Sequence, residues 1–451
     1  MRRPPLSGLL ALAATVPGVV VALAGVHLPA PAAALVFGGA IIGAAFVLAW
    51  AAEAAQVDVS AGLAVAVLAL IAVLPEYSVD FVFTWRGGEA AAQYGADCHP
   101  PGGDGTPSCS LALANMTGAN RILVGIGWVA VVLIAWRRSK RRGISLGRAD
   151  AVPLAFLTIA SLYCLILPFK RTLTLWDTAV LVAVFVAYSW RVSRAPAGEP
   201  ELVGPSAWVG GLAKVPRRTT VVALFVVSAA VILLAAEPFA AGLVDTGQQL
   251  GISQFLLVQW VAPLASEAPE LLVAGLYAYR LHTTEALGAL VSSKVNQWTL
   301  LVGTLPVVFA VSSGGTSGLP IEPAQRGELL LTAAQSLLAI ALLLELTLSL
   351  RAALTLLGLF LVQFVLGAVL PARWHDDELV ALSAVYLALA AVAVVRKRAC
   401  LVPMLRDGLR TPYRQLGENL HCTTTGGGRL RLRTRLRELV GAEQVAGPHL
   451  P

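Results

Sequence analysis

Residues 254–306 read QFLLVQWVAPLASEAPELLVAGLYAYRLHTTEALGALVSSKVNQWTLLVGTLP, two apolar stretches joined by a short polar break. Their flanks are as apolar as any membrane helix, yet the interior holds Ser266, Glu267, Glu270, Ser292, Ser293, Lys294 and Asn296. An ionisable group at bilayer depth costs about 2.5–3.5 kcal/mol on insertion scales and is kept where it faces a cavity, a partner or an ion. The functional centre is therefore expected here.

A second stretch follows the same plan. Residues 72–80 read AVLPEYSVD, and residues 111–127 read LALANMTGANRILVGIG. Each copy has an apolar helix interrupted at Pro-Glu, a loop, then an apolar helix with small and amide residues that ends in Leu, Val and Gly. Two such units in one chain point to an internal duplication of the kind found in secondary transporters.

The composition sets these copies in a membrane. Of 451 residues, 57% are hydrophobic and 13% charged, outside the range of a soluble domain. The formal charge of +7 belongs to the tail: from Arg396 onward, 11 Lys/Arg stand against 4 Asp/Glu, which leaves the membrane portion balanced. Five cysteines are too few and too scattered for a disulfide scaffold or a structural zinc site. Cys98 and Cys109 share a loop, where either a bridge between them or two free thiols would fit. Asp97 and His99 beside them leave a metal site as a further alternative.

Apolar runs near the spanning length of about 20 residues lie close to 6–26, 32–50, 59–85, 110–136, 151–168, 173–190, 219–240, 250–279, 284–311, 328–350, 352–370 and 378–395. The first follows Arg2 and Arg3 and reads as an anchor, being long for the apolar core of a signal peptide. Lys and Arg in short loops set the orientation. The loop 137–148, with RRSKRR, and the loop carrying Arg191, Arg194, Lys214, Arg217 and Arg218 belong in the cytoplasm. Both termini, Arg280 and Arg351 then fall inside, and the loops 98–109, 314–327 and 375–378 outside, with Lys170 and Arg171 as the exception.

On this count the span ending in Pro75-Glu76 runs outward and the one with Pro269-Glu270 runs inward. The expected fold is an all-α polytopic membrane protein, an inverted-topology repeat of about 5+5 transmembrane helices with one extra helix at each end. The expected divisions are 1–31, the N-terminal extra helix; 32–190, the first repeat with its motif at 72–127; and 191–218, a Pro- and Gly-rich cytoplasmic linker. After these come 219–371, the second repeat with its motif at 254–306; 372–395, the C-terminal extra helix; and 396–451, a basic cytoplasmic tail.

Ser266, Glu267 and Glu270 stand at i, i+1 and i+4 and share one helix sector, and Glu76 and Asp80 stand four apart just after Pro75. Pro263 and Pro269 are expected to kink or unwind their helix and free carbonyls that a cavity can use. Asn115 and Asn120 flank Gly118 and Ala119, whose size permits close helix approach. Carboxylates, hydroxyls, amides and freed carbonyls form a hard-oxygen set suited to Na⁺ or Ca²⁺, and the same carboxylates can carry protons. The alternative for the Asn and Ser residues is hydrogen bonding between helices with no part in transport.

Pro-Glu-Leu-x-x-Ala after a small, Ser-containing approach, then a Gly-Ser-Asn-like segment leading into Leu-Leu-Val-Gly, resembles the α-repeats of the sodium/calcium exchanger (calcium:cation antiporter, CaCA) superfamily. The resemblance covers about 55 residues per copy and is carried by Pro75, Glu76, Asn115, Gly118, Ala119, Asn120, Pro269, Glu270, Ser293 and residues 300–303. It implies that Glu76, Glu270, Asn120, Ser266 and Ser293 bind Ca²⁺ and Na⁺ in turn. The chain also departs from that pattern. The family's Thr-Ser is Ala72-Val73 in the first copy and Ser266-Glu267 in the second, its Asn of Gly-Ser-Asn is Lys294, and Asp80 is gained. The loop 86–110 is longer than the family's compact form.

The function expected is a secondary active cation antiporter of that type, working by alternating access. Its ion-binding residues would be Glu76, Asp80, Asn115, Asn120, Ser266, Glu267, Glu270, Ser293 and Asn296, with Lys294 modulating. The ions expected are Ca²⁺ and Na⁺, or H⁺; no cofactor is implied. The expected partners are inorganic cations and membrane lipids, with no nucleic acid and no inferable protein partner. The place is the cell membrane, with several passes and both termini cytoplasmic.

A monovalent cation/proton antiporter of the same fold is the nearest alternative. From another class comes a membrane enzyme acting on lipid, with Glu267 and Glu270 as acid/base pair and Lys294 holding a phosphate. A channel-like or sensor protein is a third. Lys294 lies about 11 residues into its span, roughly 16 Å deep in a core of about 30 Å. Glu267 and Glu270 are its expected partners, either in a structural salt bridge or with the ammonium standing in for one bound ion.

Overall fold

The computed structural model describes residues 5–58, 74–100, 107–195, 202, 204–251, 253–417, 420–425 and 429–434. Helices dominate. α1 (Leu6–Ala24) and α2 (Ala30–Ala55) precede α3 (Leu74–Tyr94). α4 (Ser108–Ile122) runs through a π-helical segment, Leu123–Trp128, into α5 (Val129–Ser139). β1 (Gly143–Ser145), α6 (Ala151–Cys164), β2 (Thr172–Leu173) and α7 (Leu175–Val192) follow.

After the short α8 (Pro205–Gly210), the same order returns. It comprises α9 (Lys214–Leu250), α10 (Gln254–Tyr279), and α11 (Thr283–Asn296) continuing through the π segment Gln297–Leu301 into α12 (Val302–Ser313). β3 (Leu319–Pro320), α13 (Pro323–Leu343), β4 (Thr347–Ser349) and α14 (Leu350–Val369) complete it. α15 (His375–Leu409), α16 (Tyr413–Leu416) and the antiparallel strands β5 (Leu420–Thr425) and β6 (Arg429–Thr434) end the described chain. α15 runs through position 396, so the start of the basic tail continues a helix.

Among the described residues, 11 helical segments are long and apolar enough to cross a membrane. The expected span 59–85 lies partly outside the described residues; α3 is its second part. With α1 and α15 set aside, α2 to α7 and α9 to α14 form the two copies of an inverted repeat. Each Pro-Glu helix packs on the second helix of the other copy, α10 against α4 and α3 against α12, while α2 packs along α9.

Two small antiparallel pairings repeat this relation. β1, between α5 and α6, pairs with β4, with Gly143 opposite Ser349. β3, in the equivalent place of the second copy, pairs with β2, with Leu173 opposite Leu319. Each pairing uses one strand from each copy, and the copies exchange roles between the two.

α10 is continuous through both prolines rather than unwound. A proline inside a helix removes the bond to the carbonyl four residues earlier, so Pro263 frees the Gln259 carbonyl and Pro269 that of Ala265. A Cβ added at Gly118 would stand 1.7 Å from the Gln259 oxygen. The freed carbonyl thus lies against α4 where only glycine leaves room, and packing absorbs what would otherwise be a break. The irregularity falls instead in the π segments of the second helices, at matching places in both copies.

Candidate functional site

Glu76 stands in the first turn of α3, and Glu267 and Glu270 lie one turn apart on α10. Carboxylate oxygens of the three lie within 4.8 Å of one another. Glu76 and Glu267 are buried and Glu270 is half-buried. Three negative charges this close in a low-dielectric interior repel strongly. The group is compatible with burial only if a cation or protons neutralise it.

The surrounding groups come from the second helices. Ser293 Oγ donates to Glu270 at 2.6 Å, and the Gln297 amide donates to Glu267 Oε1. Asn115 Nδ2 donates to Asp80 Oδ1 at 2.6 Å, and Asn120 Nδ2 to the Met116 carbonyl at 2.9 Å. Ser266 Oγ donates to the Pro263 carbonyl at 3.3 Å. Buried oxygens without a hydrogen-bond donor include Glu76 Oε2, Glu267 Oε2, Asp80 Oδ2 and the amide oxygens of Asn115, Asn120 and Asn296. Buried acceptors are normally satisfied, and a set made of oxygens alone has the composition of a hard-cation site.

A cavity of about 230 Å³ reaches this centre. It is lined by Pro75, Ser266, Glu270, Ser293 and Asn296 at one end and by Val273, Ala274 and Ala289, toward the C-terminal end of α10, at the other. Glu76, Glu267, Glu270, Ser266, Ser293 and Asn296 therefore meet at or beside one place. Asp80 and Asn115 pair with each other one turn further along α3.

Lys294 is fully buried, as expected, but it makes no ion pair with Glu267 or Glu270 among the described residues. Its Nζ donates instead to the Asn120 backbone carbonyl at 2.8 Å and lies 5.3 Å from the centre of the Trp298 ring. Gln297 takes the place at Glu267 that the lysine is expected to fill.

Three features were not singled out from the sequence. Gln297 follows Ser293 by four residues and so lies on the same helix face, a signal that was available. The π segments leave no such trace. Arg121 and Glu328, on α4 and α13, form a buried pair at 2.6 Å, with Arg121 also 5.0 Å from the Trp260 ring centre. Outside the centre, Cys98 and Cys109 form a disulfide with Cα atoms 5.8 Å apart, so neither sulfur remains as a thiolate for a metal beside His99.

Known proteins resemble the chain over most of its length. The family model described as sodium/calcium exchanger protein matches residues 29–193 and 220–368. The crystal structure of the H⁺/Ca²⁺ exchanger CAX superposes with a TM-score of 0.82 at 38% identity, covering 90% of this chain and 97% of that one. YfkE superposes with a TM-score of 0.56 at 15% identity, covering 84% of this chain and 99% of that one, a likeness of fold. No curated protein sequence matches the chain.

Proposed function

The chain belongs to the sodium/calcium exchanger family and is a multi-pass membrane cation antiporter, not an enzyme, and from that premise we propose that it exchanges Ca²⁺ for protons. The observation that carries this is the meeting of Glu76, Glu267 and Glu270 within 4.8 Å in the buried centre, ringed by acceptors without donors. Ca²⁺ takes 6–8 oxygen ligands, in general carboxylates, carbonyls and amide oxygens. The ligands would be Glu76, Glu267 and Glu270 with Ser266, Ser293 and Asn296, and Asp80, Asn115 and Asn120 would line the approach on the first copy.

Protons are the counter-ion because three crowded carboxylates must be neutralised when Ca²⁺ leaves, and because the relative with 38% identity is an H⁺/Ca²⁺ exchanger. Na⁺ is the competing counter-ion, and both gradients belong in one test. In proteoliposomes, an imposed pH gradient is expected to drive labelled Ca²⁺ uptake with Na⁺ absent. Uptake only with a Na⁺ gradient would replace the proton, and no uptake with either would overturn the reading.

The positive-inside pattern orients the cavity. The loop 137–148 and the C-terminal end of α10 fall on the same side, so the cavity beside Glu270 faces the cytoplasm and both termini lie there. The disulfide then falls on the outer, oxidising side.

A further inference from the structure

The two copies can be matched residue by residue at the centre. Asn120 stands three residues before the first π segment and Lys294 three residues before the second. Glu267 stands three residues before Glu270, and Val73 three before Glu76. The second copy has therefore gained one carboxylate and one ammonium, where the first has a valine and an amide.

Both added groups are fully buried, at 0% exposure each. They do not touch: Glu267 accepts from Gln297, and Lys294 donates across the repeat boundary to the carbonyl of Asn120, its own counterpart. Their helices α10 and α11 pack against each other, and Gln297, three residues past Lys294, is the residue that reaches Glu267, so the two charges lie close enough in a low-dielectric interior to interact without contact. Burying either alone would leave an uncompensated charge.

Glu267 is one of the three clustered carboxylates. One divalent cation among three carboxylates leaves a negative charge over; with the ammonium held beside them, the same cation leaves none. Asp80, paired with Asn115, and the closed Arg121–Glu328 pair stand outside this group.

We propose that Lys294 is a fixed countercharge for Glu267, a cation tethered to the protein, so that the cluster is matched to one divalent ion without an accompanying monovalent ion. This rests on the cluster being a divalent-cation site. An ammonium held by a carbonyl from the opposite copy cannot leave with the cargo, and it fills a place that would otherwise admit a sodium ion.

The test is a double-mutant cycle on Ca²⁺ binding by calorimetry with purified full-length protein. Lys294→Met makes the cluster more negative and is expected to tighten Ca²⁺ binding, whereas Glu267→Gln weakens it, each by about tenfold. The double variant is expected to return Ca²⁺ affinity to within about threefold of the wild type and to melt above either single variant, because both charges leave together; melting losses that simply add would overturn the pairing of Lys294 with Glu267. Weaker binding in Lys294→Met, or a double variant worse than Glu267→Gln alone, overturns the proposal. Failure of both lysine variants to fold, with Glu267→Gln intact, assigns the lysine to structure and also overturns it. Wild-type protein that binds no Ca²⁺ sinks the divalent-site reading itself, an outcome the cycle keeps distinct.

Discussion

The first copy brings Glu76 to the centre, with Asp80 and Asn115 paired one turn away and Asn120 on the next helix; the second brings Glu267 and Glu270, then Ser293, Lys294 and Gln297. Their backbones agree in helix order, in the place of the π segment and in the strand pairings. Their charges do not agree. Symmetry is kept where the backbone must pack, and side chains diverge where carboxylates of both copies meet in one cluster, whose charge is set by the total rather than by two equal halves.

The sharpest way to break this comparison is to remove one carboxylate from each copy. Glu76→Gln and Glu270→Gln keep the volume and take away an ion's countercharge, and each is expected to lower Ca²⁺ flux by at least about 100-fold with expression intact. Wild-type flux in the first with loss in the second would make the first copy a scaffold only.

Next comes the bond that joins the copies behind the site. Arg121→Met strands Glu328 in the interior and is expected to cost about 3–5 kcal/mol, read as a lower melting temperature in detergent. Arg121→Met/Glu328→Leu should recover much of it; no recovery would mean that Arg121 acts through Trp260 instead.

A smaller effect is expected at Gly118, where a methyl group meets the Gln259 carbonyl. Gly118→Ala should cost about 1–3 kcal/mol by overpacking, and an unchanged melting temperature would mean that α4 and α10 separate freely.

Orientation offers a qualitative check. A cysteine at Gly143 should label only from the cytoplasm and one at Gly315 only from outside; labelling of both from one side removes the antiparallel relation of the copies.

The smallest effect lies at the seam between copies, where Arg217 beside Asp58 holds its carboxyl down to about 2. The pair's contribution, small because it is screened by solvent, should be fully present above the unfolded carboxyl pKa of about 3.9 and lost as pH falls toward 2. Asp58→Asn should flatten that acid limb of the stability curve.

The fold was legible because its signals are long: apolar runs, Lys/Arg asymmetry and a motif that occurs twice. The candidate site was legible as a group of ionisable residues unusual for their depth, and Glu76, Glu267 and Glu270 do lie together. Partners were harder to read. Lys294 was expected on a carboxylate and rests on the Asn120 carbonyl, a backbone acceptor 174 positions away that becomes its neighbour only on folding. Pro263 was expected to kink or unwind its helix and free a carbonyl; the helix stays continuous, and the freed carbonyl lies against a glycine on another helix, distant in sequence. Arg121 and Glu328, 207 positions apart, become a pair only after folding.

The strand pairings carry a consequence of descent. In each, a strand from one copy meets its non-equivalent strand in the other, and exchanging the copies turns one pairing into the other. That is the contact pattern of a two-fold symmetric dimer whose subunits insert in opposite directions. A single ancestral half would have had both strand edges open and could have closed them only on an oppositely inserted twin.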